Sequence, residues 1–385
     1  MASDWTDLEV SFLWSINFFI SAALVAIYGL AVSHIRFKLL VPAVYACFSA
    51  SFIAYYFLAG AVPDRTLIDK AFYVWVSVFS LFHVSVFWSL MADTFTQEQA
   101  KRLFAIIAAG ASLGAIVGSG VATLFAKLVG VDMLMLIASC GLVSVIPMVF
   151  YIYRLKENDL GNQGLTADLS QAKMGGHWWQ GFKTLLTNPY LISIAVFLVL
   201  YTFISSFIYF AQKNMLVDYT RAERTQILGG IDWIVNTLTF GIAFFATSRI
   251  VRKFGMPTTL ALLPVFVVVA LLILAFAPIL TVLLALQVAR RSGNYAVTRP
   301  AREMLFTEVS QEDRFKAKPV IDIVLYRGGD WVSSLAFAGL TQGLGLGLVA
   351  VSLVGASIAA VWAWVGVWLG RKYDGRVSER ELKSE

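Results

Sequence analysis

Arg290 and Arg291 stand side by side directly after thirty-six residues, Phe254 to Ala289, that carry no charge. A guanidinium stays protonated even when partly desolvated, and its donor fork matches carboxylate and phosphate oxygens. Two of them closing an apolar run therefore predict a site for an anion, and Arg327 adds a third. The competing use of these charges is internal pairing, and Asp232, Asp322 and Asp330 are the carboxylates at hand. Asp330 lies a turn beyond Arg327, Asp232 can reach an arginine across the same part of the chain, and Lys318 and Asp322 are spaced i,i+4 on one helical face. Both uses stay open, and these three arginines and three aspartates form the expected substrate-binding set.

A second group, Arg299, Arg302, Glu303, Lys316 and Lys318, lies nearer a span end, and Arg299 and Glu303 are again i,i+4. A gate or salt-bridge latch is the expectation there. His83, in "SLFHVSVFW", sits mid-span. An imidazole near its ordinary pKa of about 6.5 suits a proton site, while the plainer role is a hydrogen bond to helix neighbours. The three histidines are scattered, Cys47 and Cys140 lie in apolar segments, and no HExxH, Walker A or GxSxG pattern occurs. No metal, cofactor or catalytic residue is expected, and the chain does not read as an enzyme.

These charges matter because of what surrounds them. Of 385 residues, 59% are hydrophobic and only 14% charged, with a mean hydropathy of +0.75. A soluble domain carries about a quarter charged residues. Apolar runs of about 20 residues, the length that crosses a bilayer as a helix, recur along the whole chain. The sequence predicts an all-α membrane protein with eleven spans, near 9–33, 39–62, 70–92, 103–126, 132–153, 189–212, 225–247, 255–276, 279–301, 317–340 and 344–370. With a rise of 1.5 Å per residue, Arg290 lies about 16 Å from the span end at Ile279, close to the bilayer midplane.

Lys and Arg set the expected orientation. If the 34–38 link faces the cytoplasm, 21 of the 30 basic residues fall on that side and six on the other, a bias the positive-inside rule reads as decisive. The C-terminus and the polar link 154–188 are then cytoplasmic. The net charge of +6 reports this topology rather than a nucleic-acid partner. The first residues, MASDWTDLEV, lack the basic start of a signal peptide.

The chain also repeats. "DTFTQEQAKRLFA" (93–105) resembles "MLFTEVSQEDRFKA" (304–317), and "GLAVSHIRFKLL" (29–40) resembles "ATSRIVRKFGMPTTL" (246–260). Two parallel six-helix halves predict a major facilitator-type bundle: a five-helix half over 1–153, the link 154–188, a six-helix half over 189–370 and a tail, 371–385. The repeat pairs span 9–33 with the second helix of the other half, so the first helix of the usual twelve is expected to be missing, most simply through a shortened start. "GASLGAIVGSG" (110–120) places Gly110, Gly114 and Gly118 on one face, which predicts a close-packing seam. The aromatics of "YLISIAVFLVLYTFISSFIYF" (190–210) are expected mainly at lipid-facing and belt positions.

One stretch carries a family resemblance. "NYAVTRPAREMLFTEVSQEDRFKAKPVIDIVLYRGGD" (294–330) resembles the signature of the ATP/ADP carriers, nucleotide exchangers with a major facilitator-type fold. "GFKTLLTNPYLISIAVFLVLYT" and "ERTQILGGIDWIVNTLTF" look like their seventh and eighth helices. "LWSINFFISAALVAIYGLAVSHIRFKLL" resembles their second. By this resemblance Arg302-Glu303 fills the place of a basic-Glu pair, Lys316-Ala317-Lys318 that of a Lys-x-Lys, and Asp322 and Arg327-Gly328 have counterparts. Asp330 departs from the family, which has a lysine there. Neither the lysine of the family's first helix nor its acidic residues in the N-terminal half have a counterpart.

The resemblance and the arginines together imply a secondary active transporter working by alternating access on a small organic anion, with ATP/ADP-type exchange included. Its setting would be a bacterial inner membrane, with lipids as its other partner. Two alternatives stay open: a lipid or amphiphile translocator, and a non-transporting partner or receptor on a transporter fold.

Overall fold

A computed structural model describes residues 7–34, 37–62, 65–129, 133–158, 179–216, 218–219 and 221–384. Every regular element among them is helical, as it must be for a single chain that satisfies its own backbone hydrogen bonds in lipid. The first five helices are α1 (Asp7–His34), α2 (Phe37–Ala61), α3 (Arg65–Thr94), α4 (Gln97–Val129) and α5 (Met133–Asn158). The link expected over 154–188 lies largely outside the described residues, and then α6 (Gln180–Thr187), α7 (Pro189–Met215) and α8 (Arg221–Ile242) follow.

Beyond α8 the helices are interrupted by π turns. Ala243–Thr247 joins α8 to α9 (Ser248–Phe276), Asn294–Thr298 joins α10 (Leu280–Gly293) to α11 (Arg299–Leu305), and Val320–Leu325 joins α12 (Gln311–Pro319) to α13 (Tyr326–Ala338). Gly339–Gly343 is a fourth, before α14 (Leu348–Ser384). A π turn admits one extra residue into a helix and tends to mark a functional position.

Among the described residues eight helices are long and apolar enough to cross a bilayer. One of them, Ile227–Phe276, holds two of the sequence-predicted spans and reverses at Gly255, whose φ of 75° and ψ of 175° belong to a region that only glycine enters cheaply. The two spans missing from that set are α10 with α11 and α12 with α13, which carry the buried charges. At 37 residues, α14 is about 55 Å long against about 30 Å of hydrocarbon, so it continues as helix through most of the expected tail.

The chain divides into two compact units. Unit 1 comprises 1–96, 118–188 and 310–327, and unit 2 comprises 97–117, 189–309 and 328–385. The core of unit 1 is aromatic: Phe48 of α2 packs on Phe79 and Trp75 of α3 at 5.0 and 5.5 Å between centroids, and Phe52 joins Phe72 and Phe79. The Ser49 and Ser139 hydroxyls, 2.6 Å apart and buried, tie α2 to α5. In unit 2, α14 lies along α7. Trp362 is fully buried against Phe197 and Tyr201, at 5.6 and 5.7 Å, and Phe337 of α13 packs on Phe207 and Phe210.

The seam expected at Gly110, Gly114 and Gly118 has no partner among the described residues. A methyl group added at any of the three meets nothing within 4 Å among the described residues. The packed side of α4 at this level is Ala108, Ala109 and Ser112, with Ala109 in a cluster with Ala243 and Ala296. Small residues permit close approach without creating a partner.

Candidate functional site

In unit 2 the site is built from one face of α7 and one face of α10. Tyr201 and Ser205 are i,i+4 on α7, and Gln212 follows two turns later. Gln287, Arg290 and Asn294 recur at three and four residues on α10 and into the π turn, so these two polar edges meet inside an otherwise apolar pair. Arg290 is 3% exposed. Its Nη1 donates to Ser205 Oγ at 3.0 Å and to Tyr201 Oη at 3.4 Å, and its Nη2 donates to Gln287 Oε1 at 2.7 Å. Gln287 Nε2 in turn donates to Gln212 Oε1 at 2.8 Å, and Asn294 Nδ2 to Tyr201 Oη at 3.0 Å.

Every partner of this guanidinium is neutral. No carboxylate comes within 4 Å of it among the described residues, and its Nε–H is buried with no acceptor. The indole N–H of Trp362 is likewise buried without a partner. After the hydroxyl and amide acceptors are used, two buried donors are thus left over, Arg290 Nε–H and the Trp362 indole.

The neighbouring charges behave differently. Arg291 pairs with Asp232 of α8 at 2.6 Å, with 27% and 57% of the two side chains exposed. This is the pairing expected for Asp232. Arg299 makes no ion pair with Glu303 among the described residues, correcting the i,i+4 expectation. The partner of Glu303 is instead its chain neighbour Arg302, at 2.9 Å, with the carboxylate fully buried. Arg299 lies within electrostatic reach of Tyr201, as Arg290 does.

Unit 1 holds the remaining candidates except Asp330, each tied to its surroundings. Lys318, with none of its side chain exposed, pairs with Asp322 as its spacing predicted, and Ser85 Oγ donates to the same carboxylate oxygen at 3.1 Å. Arg327 donates from Nη2 to the Ser77 carbonyl at 2.6 Å and to the Ser77 hydroxyl at 2.7 Å. Asn17 of α1 reaches that hydroxyl at 2.8 Å. Lys316 pairs with Glu312 at 2.6 Å. His83 stacks on Phe79 at 4.4 Å and bonds that residue's carbonyl through Nδ1 at 2.8 Å, a contact within its own helix. Asp330, on α13 in unit 2, receives the Ser333 hydroxyl on its backbone carbonyl.

Two features escaped the sequence reading. Asp93 binds Lys156 at 2.8 Å and Arg314 at 3.4 Å, all three side chains being less than 8% exposed. One carboxylate thus holds two buried cations. Its signal was the internal repeat, which singled out the segments containing Asp93 and Arg314. Tyr201, Ser205, Gln287 and Asn294 were also missed, although their helical spacing was visible.

The first 290 residues match the family model described as Major Facilitator Superfamily. Among curated proteins the chain is 24% identical over 352 residues to ADP,ATP carrier protein 1 of Chlamydia muridarum, covering 81% of this chain and 65% of that protein. The same-named carrier of Chlamydia trachomatis is also 24% identical, over 74% of this chain and 60% of its own length. The resemblance to the ATP/ADP carriers is thereby supported, and the chain spans less than two thirds of the length of these relatives. Among solved structures, the human organic anion transporter MFSD10 superposes with a TM-score of 0.63 at 12% identity, covering 92% of this chain and 83% of that one. The proton:xylose symporter XylE superposes with a TM-score of 0.66 at 13% identity and the same coverage. These likenesses establish the fold. By its sequence match and its all-helical architecture, the chain belongs to the Major Facilitator Superfamily.

Proposed function

We propose that this chain forms a secondary active transporter of an organic anion, working by alternating access, with Arg290 as the fixed counter-charge to its cargo. The observation that carries this reading is the buried guanidinium without a carboxylate. An unpaired charge withdrawn from water costs several kcal/mol, and proteins ordinarily cancel it with an acid, as this one does for Arg291, Lys318 and Arg314. At Arg290 the cancelling charge is left for the ligand to bring. The Arg302–Glu303 and Lys316–Glu312 pairs, with Arg299 and Lys318, serve as latches rather than ligands. His83 keeps its structural hydrogen bond, so the transport step does not rest on it.

The halves 1–153 and 189–370, joined by 154–188, carry the alternating motion. The C-terminal tail and the 154–188 link face the cytoplasm of a bacterium, since that is the side where the basic residues gather. The Chlamydia relatives are named for ADP and ATP, both phosphate anions, so nucleotides are the first cargo to offer.

The test is uptake of labelled ATP by proteoliposomes loaded with ADP or with buffer, followed by other phosphorylated and carboxylated solutes. Wild-type uptake of one such anion, reduced at least tenfold by Arg290→Gln but not by Arg291→Gln, is the expected result. Folded protein that moves none of them, or an Arg290→Gln variant that transports normally, overturns the assignment.

A further inference from the structure

The hydrogen bonds of Arg290 divide its guanidinium into two unlike edges, and this division extends the anion reading on which it rests. Nη1 is committed twice, to Ser205 and to Tyr201, and both hydroxyls stand on one face of α7. The opposite edge consists of Nε and Nη2, which project in parallel and make the two-point fork that carboxylates and phosphates accept. Here Nε–H is buried with no acceptor, while Nη2 is held by a single neutral oxygen, Gln287 Oε1, at 2.7 Å. One nitrogen of the fork thus meets an amide oxygen and the other meets no acceptor.

We propose that Gln287 is the specificity-determining residue of this site: its side-chain oxygen occupies the Nη2 position of the fork in the empty carrier, and a cargo presenting two coplanar oxygens, carboxylate or phosphate, displaces it. Tyr201 and Ser205 are positioning residues that hold the far edge, so the fork keeps its aim while its occupant changes. Gln287 also donates to Gln212 on the neighbouring helix, and this gives the amide an anchor when its oxygen is released. An amide fits this role where a carboxylate does not. It satisfies the buried cation with a neutral bond, which an anion's charge-assisted pair outcompetes, whereas a built-in carboxylate would fill the fork permanently.

That contrast supplies the experiment. Gln287→Glu replaces the amide with a carboxylate of the same shape, and Gln287→Met removes the oxygen and keeps the volume. Binding of ATP, of inorganic pyrophosphate and of citrate to purified full-length protein is measured by calorimetry for both variants, wild type and Arg290→Gln. Unfolding without ligand is followed in parallel.

The expected result is that Gln287→Glu loses binding by at least a hundredfold and gains thermal stability without ligand, because Arg290 acquires an internal partner. Gln287→Met should keep binding and tighten it, by about tenfold if one bond to a charged group is no longer displaced. A Gln287→Glu protein that binds like wild type overturns the proposal, as does a Gln287→Met protein that loses binding to the same extent. If wild type and Arg290→Gln fail alike to bind any of the three anions, the anion reading itself falls, and Gln287 with it.

Discussion

Two buried cations of this protein, Arg290 and Lys318, should respond in different ways to the same treatment, replacement by methionine. Lys318 is fully buried and faces Asp322, which also accepts from the Ser85 hydroxyl. Lys318→Met takes the paired cation away from a buried carboxylate, and breaking such a pair costs about 3–5 kcal/mol. Replacing both partners removes the stranded charge. The Lys318→Met, Asp322→Leu double variant should therefore return to within about 1–2 kcal/mol of wild type, the remaining loss being the orphaned Ser85 hydroxyl.

Arg290→Met strands no charge. It gives up three hydrogen bonds, one of them long at 3.4 Å, each of the order of 1.5–3 kcal/mol when one partner is charged. Against that stands the several kcal/mol that burying an unpaired cation costs. The two sums nearly cancel, so the expected change is below about 2 kcal/mol in either direction. The assay is reversible unfolding in mixed micelles of increasing SDS fraction, read by far-ultraviolet dichroism, for wild type, both single variants and the double variant. If Arg290→Met costs as much as Lys318→Met, Arg290 has an acidic partner in the folded protein and the reasoning from its isolation is wrong. If the double variant is no better than Lys318→Met, the charge balance around Asp322 is not what holds that part of unit 1.

Other outcomes can be checked on the same preparation. Asp93→Asn leaves Lys156 and Arg314 without their shared carboxylate and should cost about 3–5 kcal/mol in the unfolding assay, more than either Lys156→Met or Arg314→Met. Gly329→Ala drives a new methyl group into Thr202 of α7, an overpacking worth about 1–3 kcal/mol. Adding Thr202→Ala should recover most of that loss. Asp232→Asn opens the exposed pair with Arg291 and should change stability by no more than about 1 kcal/mol, with anion binding by calorimetry unchanged.

What the sequence could and could not disclose follows from the kind of signal each feature leaves. Apolar length located the spans, including α10–α11 and α12–α13, whose charges lower their hydropathy. Helical spacing identified Lys318–Asp322, although the π turn at Val320–Leu325 begins within that interval. The same spacing failed for Arg299 and Glu303. Charge made Arg290 conspicuous, but its neighbours Tyr201, Ser205, Gln287 and Asn294 are uncharged and barely alter the hydropathy of their spans. Asp93 lies one residue past the predicted end of its span, outside the stretch where a carboxylate looks out of place. None of the four π turns has a local sequence signature, since an extra residue in a turn is a fact about packing rather than composition.

The π turn at Asn294–Thr298 also lets chain length change by one residue without turning the charges on either side of it. In an unbroken α-helix, residues nine apart point about 180° away from each other, and each residue absorbed by a wider turn takes back about 100°. Arg290 and Arg299 are therefore about 80° apart, because the π turn absorbs one of the nine residues. A single-codon deletion between 294 and 298 that closes this turn to α-helix would leave the two arginines eight residues apart and still about 80° from each other, so Arg299, Arg302 and Glu303 would keep their side of the helix. Among relatives, a one-residue gap at this point would accordingly mark loss of the wide turn with the direction of every charged side chain kept.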